Sequence, residues 1–355
     1  MISVCMIVRN EAENIATALE SVKNLADEVI IVDTGSEDET LDIAKRLGAT
    51  IFTGADRYHK AESRNKAIDH ANGEWIIILD ADEKIADPVG LREYLQMTEA
   101  DAIFIRIAYK HGDETTLEYS QLRIFRKGHY EYKYRAHEVP IQLKSSVVLH
   151  TGFIWEHRPN PGRDEWKFQY TLDRLLLDRQ EHPESSRVKY YLGRQYCYMK
   201  KYPEALEILL DYMNNPDHDE ANACMRIAEA YGVLGQENIQ IRYLFLACSV
   251  DPNTRDWYGM LAQIFHNQGK YHLSVGLLKC ALEIPEPDTS YINGYWYGSN
   301  IYDLLARSLY KQEKFFEGKT FALIALEKDP TNVRLKKNLE WFNLRIGENN
   351  GCSQS

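Results

Sequence analysis

The chain has 355 residues, 44% of them apolar, and a formal net charge of −11. That is enough apolar material for roughly two domains with cores of their own, which excludes global disorder. The acidic balance excludes a uniformly basic nucleic-acid binder, though a local basic patch stays open.

The opening MISVCMIVRN is apolar but short, and it lacks a basic leader and a small-residue cleavage site. It is therefore read as a first strand and not as a signal peptide. EAENIATALESV follows with apolar residues at helical spacing, EVIIVDTGS is a strand ending in turn residues, and EDETLDIAKRLG is a helix with acids in its first turn and Gly48 at its end. ATIFTG, the helix AESRNKAIDHANG and the strand EWIIILDADE continue the alternation. Strands alternating with helices predict a mostly parallel sheet with right-handed crossovers. The later strands DAIFIRIAYK, QLRIFRK and SVVLHTGF alternate more strictly and are expected to be antiparallel or mixed.

After the Pro- and Gly-rich EHRPNPGRDE the pattern turns helical and stays so. Leu192-Gly193, Ile227-Ala228, Leu261-Ala262 and Leu305-Ala306 align, and from Gly193 to Ala228, Ala262 and Ala306 the steps are 35, 34 and 44 residues. A small residue recurs where two helices must approach closely, with Ala205, Ala247, Ala281 and Ala325 at later small positions. The register resembles the tetratricopeptide (TPR) repeat, a helix–turn–helix unit of about 34 residues. The long third step fits an insertion around PEPDTSYINGYWYGSN, and NVRLKKNLEWFNLRI is expected to cap the stack. The domains are expected at 1–163, 187–347 for the repeats, a connecting helix at 164–186 and a loose tail at 348–355.

The informative stretch is IIILDADEKI, where a buried strand ends in Asp80, Asp82 and Glu83. Three carboxylates repel unless something positive sits among them. In open α/β sheets the carboxyl ends of strands are where ligands bind, so a divalent cation is the sharp reading and a solvated turn the bland one. Asp33 ends an earlier strand, and a parallel sheet brings it to the same edge as Asp80 and Asp82. Such a set suits a nucleotide diphosphate held through Mn²⁺ or Mg²⁺.

SVCMIVRNEAENIATALESV, IIVDTGSEDETLDIA, ESRNKAIDHANGEWIIILDADE and RAHEVP together resemble glycosyltransferase family 2, over about residues 1–150. The resemblance implies an α/β GT-A fold, Rossmann-like with a mixed sheet, ahead of the all-α repeats. It implies a single-sugar transferase using a UDP-sugar, inverting at the anomeric carbon. Asp80-Ala81-Asp82 would be the DxD motif, with Asp82 and Asp80 toward the metal. Asp33 would contact uracil or ribose, Arg64 the phosphates, and Val8, Arg9 and Glu11 would line the nucleotide pocket. Glu138 would be the catalytic base, with His137 orienting it or the acceptor. His150 is expected as a third metal ligand, with His157 the competing choice, and Arg158 and Arg163 could clamp phosphate. No run reaches the length of a membrane span, and the QxxRW-type motif of processive relatives is missing, so a polymer-extruding synthase is not expected. The repeats are expected to recruit the acceptor, whether peptide, glycan or modified DNA, or to make a homo-oligomer. A non-catalytic repeat scaffold is the rival from another class. Six cysteines without a CxxC pair read as small buried hydrophobes in a cytoplasmic chain.

Overall fold

The computed structural model describes residues 1–54, 59–111, 114–158, 164–217, 219–286 and 295–352. The chain divides into a compact unit from Met1 to Tyr191 and a second that begins at Leu192.

The first unit runs β1 (Ile2–Val8), α1 (Ile15–Ser21), β2 (Glu28–Asp33), α2 (Thr40–Arg46), β3 (Thr50–Thr53), α3 (Lys60–His70), β4 (Trp75–Ile78), β5 (Glu83–Ile85), α4 (Pro88–Met97), β6 (Ala102–His111), β7 (Glu114–Arg126), β8 (Tyr130–Lys133), β9 (Val139–Gln142), β10 (Val148–His157) and α5 (Asp164–Glu181). Eight strands make one sheet in the order β3-β2-β1-β4-β7-β6-β10-β5, and β8 pairs with β9 apart from it. The central strands β1 and β4 are nearly continuous apolar runs because helices cover both faces. One face buries Val4, Met6, Ile31 and Ile77 against α1 and α4, and the other buries Cys5, Ile30 and Ile76 against α3. β1 is parallel to β2 and β4, whereas β7 is antiparallel to both β4 and β6. The mixed sheet expected from the alternating later strands is therefore present. Its least expected strand is β5, three residues that return antiparallel to β10 directly after the acidic turn.

From α6 (Ser186–Tyr198) onward the chain is helical: α7 (Tyr202–Tyr212), α8 (Glu220–Val233), α9 (Glu237–Val250), α10 (Arg255–Asn267), α11 (Tyr271–Glu283), α12 (Ser299–Tyr310), α13 (Phe315–Lys328) and α14 (Val333–Cys352). These are the repeat hairpins, with every small residue of the register buried: Ala205, Ala228, Ala247, Ala262, Ala281, Ala306 and Ala325. A Cβ added to Gly193 would lie 2.5 Å from Leu209 Cγ, so glycine there is a packing requirement of α6 against α7. The last helix is tied to α12 by Asp303, which accepts from Arg334 Nη1 at 2.6 Å and Asn338 Nδ2 at 2.7 Å.

Trp296 and Tyr297 of the aromatic insertion are core residues, Trp296 pressed on Gly259 and the Tyr297 hydroxyl accepting the Arg255 N–H at 3.1 Å, while residues 287–294 lie outside the described set. These two residues fill a gap between helices. Residues 348–352, expected in a loose tail, continue α14.

Candidate active site

Strand polarity decides where the acidic residues meet. Val8 at the end of β1 is paired with Asp33 at the end of β2, and Cys5 is paired with Ile78 near the end of β4. All three strands are parallel, so Asp33 and the Asp80–Glu83 turn emerge at one edge. β1 alone separates β2 from β4, which puts the two acidic positions roughly 10 Å apart by strand spacing.

The loops after β1 and β2 are stitched together across this edge. The Asn10 N–H donates to Ser36 Oγ at 3.1 Å, the Glu37 N–H to Asn10 Oδ1 at 2.8 Å, and the Glu11 N–H to Thr40 Oγ1 at 2.7 Å. Asn10 adopts a left-handed conformation, φ 54°, which asparagine tolerates better than most residues. Asp33 is buried, and its carboxylate accepts from the Gly35 and Ser36 N–H groups and from Ser36 Oγ at 2.6 Å. The structure therefore gives Asp33 a part in shaping the rim. Val8 and Ala81 have buried side chains, Arg9 is half-buried, and Glu11 accepts from Asn14 Nδ2 at 3.0 Å.

Below the rim lies a chain of alternating charges. Arg64, on the buried face of α3, donates to Asp80 Oδ1 at 2.8 Å and to Glu138 Oε1 at 3.1 Å. Arg123 of β7 donates to Asp80 Oδ2 at 3.0 Å and to Glu83 Oε1 at 2.7 Å. His157, at the end of β10, lies 3.7 Å from Glu83 and 3.6 Å from Asp82. Four residues of the expected site, Arg64, Asp80, Asp82 and Glu138, thus stand in one connected cluster, although Arg64 and Glu138 are 74 residues apart in sequence.

Charge distribution within the cluster is uneven. Burial works against ionisation of Asp80, but the guanidiniums of Arg64 and Arg123 overcome it and hold the carboxyl far below its ordinary range. Glu138 is likewise held low against its burial, by Lys60 and Arg64. Asp82 shifts the other way. Burial and the charges of Asp80, Glu83 and Glu11 push its carboxyl up to about 6, with His157 opposing. His157 is itself raised: burial lowers it, and Glu83 and Asp82 outweigh that.

Both Asp80 oxygens are engaged by arginine, so Asp80 is not the open ligand expected for it. His150 is also displaced from the expected role. It pairs with Phe104 and stacks on that ring at 4.4 Å, exposed, whereas His157 pairs with Glu83. Seven residues along one strand separate the two histidines, roughly 20 Å by strand rise. His157 is the histidine at the acidic turn. Arg158 follows it and donates its N–H to the Asp82 carbonyl at 2.9 Å, while Arg163 lies outside the described residues. A cavity of about 260 Å³ beside Asp82 is lined by Asn14, Thr17, Lys84 and Arg158 among others.

Among the described residues no three His, Cys, Asp or Glu side chains form a metal cage. The Asp82 carboxylate and His157 imidazole nevertheless fit one divalent cation. The carboxylate is a hard oxygen donor and the imidazole a borderline nitrogen donor, 3.6 Å apart, beside a cavity also lined by Glu83 and Glu156.

Arg123 was missing from the sequence expectations, and Glu83 appeared in them only as a third acid. The one local signal for Arg123 is a charge inside the apolar alternation LRIF of β7.

Comparison with known proteins bears on the family of each region. Residues 3–157 match the model described as glycosyl transferase family 2, and residues 168–285 match the SusR N-terminal TPR domain. The first unit carries a glycosyltransferase family 2 domain. The helices after it are TPR-like. A TPR repeat-containing protein of Synechococcus elongatus is 39% identical over 35% of this chain and 31% of its own length. The glycosyltransferase SunS from the SPbeta prophage of Bacillus subtilis is 26% identical over 59% of this chain and 52% of its own. An uncharacterised glycosyltransferase of Rickettsia felis is 40% identical over 24% of this chain and 30% of its own. The chain thus spans about a third to a half of the length of these relatives. No helix among the described residues is long and apolar enough to cross a membrane.

Proposed function

We propose that this family 2 domain transfers one sugar from a UDP-sugar to an acceptor that the TPR-like helices recruit, with inversion at the anomeric carbon. The observation that carries the reading is the Glu138–Arg64–Asp80 connection at the carboxyl edge of the parallel strands. It joins a candidate base to the acidic motif through one buried guanidinium.

In this reading the acceptor's nucleophilic atom attacks the anomeric carbon while the bond from that carbon to the diphosphate breaks. Glu138, held ionised through the neutral range, takes the acceptor's proton. Arg64 keeps one buried nitrogen, Nη1, without a partner among the described residues, which suits a donor phosphate oxygen. Asp82 and His157 would hold Mn²⁺ or Mg²⁺, whose charge offsets that growing on the leaving diphosphate. Asp80 contributes by fixing both arginines, and Asp33 and Asn10 by fixing the nucleotide-side rim.

Titration calorimetry with UDP, with and without Mn²⁺, tests the reading. UDP is expected to bind much more tightly with Mn²⁺, and Asp82→Ala to remove that increment while leaving helical circular dichroism unchanged. UDP binding that is indifferent to Mn²⁺ in the unaltered chain would remove the metal, and absence of UDP binding would leave a repeat scaffold.

A further inference from the structure

Glu138 sits at the end of the five-residue connection between β8 and β9, residues 134–138. This connection is strained. Tyr134 has φ 77° and His137 has φ 53°, left-handed values at two residues without glycine's freedom. Such conformations persist only where the surroundings impose them.

The restraint comes from helices that follow the family 2 match. Asp178 of α5 is 1% exposed, and its carboxylate accepts the Arg135 N–H at 2.9 Å and the Ala136 N–H at 3.1 Å. The Arg135 side chain turns back onto the same helix, to Asp178 Oδ1 at 3.4 Å and Glu181 Oε1 at 2.6 Å. Flanking contacts repeat the pattern. The Tyr134 hydroxyl meets Ser185 Oγ at 3.1 Å, Arg187 Nη2 donates to the His137 carbonyl at 2.9 Å, and the His137 ring stacks on Tyr191 at 4.2 Å. A carboxylate accepting two consecutive backbone N–H groups fixes the path of the chain between them more firmly than a packing contact does. Two residues after the second of those amides, Glu138 reaches Arg64.

We propose that Asp178 is a positioning residue for Glu138: it holds the 134–138 connection in the one path that presents the Glu138 carboxylate to the site. The family 2 match ends at residue 157 and Asp178 falls within the 168–285 TPR match, so the device lies outside the family 2 domain. The proposal rests on the reading of Glu138 as the base.

Hydrogen exchange and turnover on the full chain test it together. In the unaltered chain the amides of Arg135 and Ala136 should exchange as slowly as the core of α5; exchange at open-loop rates overturns the proposal without any variant. Asp178→Asn should speed exchange across 134–138 while leaving β1 and β4 protected. Turnover, read as UDP release from an equimolar mixture of UDP-glucose, UDP-galactose and UDP-N-acetylglucosamine, should fall about tenfold or more in kcat with donor KM within about twofold. In a Glu138→Gln background Asp178→Asn should add no further loss. Losses that multiply overturn the proposal, because two residues acting through one carboxylate cannot be lost twice. Glu138→Gln turning over at the unaltered rate removes the base reading instead, and the exchange result then still decides whether Asp178 holds the connection.

Discussion

At the scale of single residues, the cluster places charges where neither partner is tolerable alone. Glu83 has a side chain fully shielded from solvent and is ion-paired to the almost equally buried Arg123. Arg123→Ala would strand that carboxylate, and a loss of about 3–5 kcal/mol in unfolding free energy is expected, measured by urea denaturation. A pH dependence follows from Asp80 and Glu138. Both carboxyls titrate lower in the folded chain than in the unfolded one, so the unfolded chain takes up protons first. Their stabilising contribution is complete above about pH 5 and drains away as pH falls toward their folded values. The melting temperature of the unaltered chain should drop between pH 5 and 3, and Asp80→Asn should flatten that dependence. An equal slope in both would remove Asp80 from the explanation. Much of this cluster was legible in the sequence because Arg64, Asp80, Asp82 and Glu138 fall in recognisable motifs. Arg123 was not, since its partners lie 40 and 43 residues away and only the strand order brings them together. The misplaced histidine has the same origin. Sequence puts His150 in the strand SVVLHTGF and His157 in EHRPNPGRDE, and only the extent of β10 and its register against β5 say which reaches the turn.

At the scale of elements, alternating strand and helix patterns gave the parallel half of the sheet, and the small-residue register gave the helical pairs. What escaped were short pieces: β5, with three residues, and the β8–β9 pair, with four each. Elements this short repeat the two-residue strand alternation at most twice, too few times to stand out, so their existence is set by tertiary pairing. The repeat register makes a quantitative claim. Gly193→Ala would press a methyl group into Leu209 and should destabilise the helical unit by about 1–3 kcal/mol, read from thermal unfolding followed by circular dichroism. A neutral or stabilising result would mean that α6 and α7 relax freely and that the small residue is helix-breaking ballast.

At the scale of the whole molecule, the cysteines report on each unit separately. Cys5 in the sheet and Cys197 and Cys224 in the repeats are buried, and burial pushes their thiols up to about 12, 11 and 12. Cys280 is exposed. Labelling with a thiol reagent, resolved by mass spectrometry, should mark Cys280 within minutes in native buffer. Cys5, Cys197 and Cys224 should stay unmarked until urea opens their units. Prompt native labelling of Cys5 would contradict the packing of β1 against α3. That a mixed sheet is followed by a helical region was readable from the change of hydrophobic period after EHRPNPGRDE, a property of long stretches; the boundary between the compact units falls later, at Leu192, because α5 packs with the first unit.

The carboxylate of Asp178 has a practical meaning for anyone who trims this chain. A fragment stopped at residue 157, where the resemblance to the family model fades, would contain every side chain of the charge cluster and yet leave the Arg135 and Ala136 amides without their acceptor. The natural place to cut is therefore downstream of α5, and a shortened protein that proves inert would say more about a missing buttress than about the chemistry of its pocket.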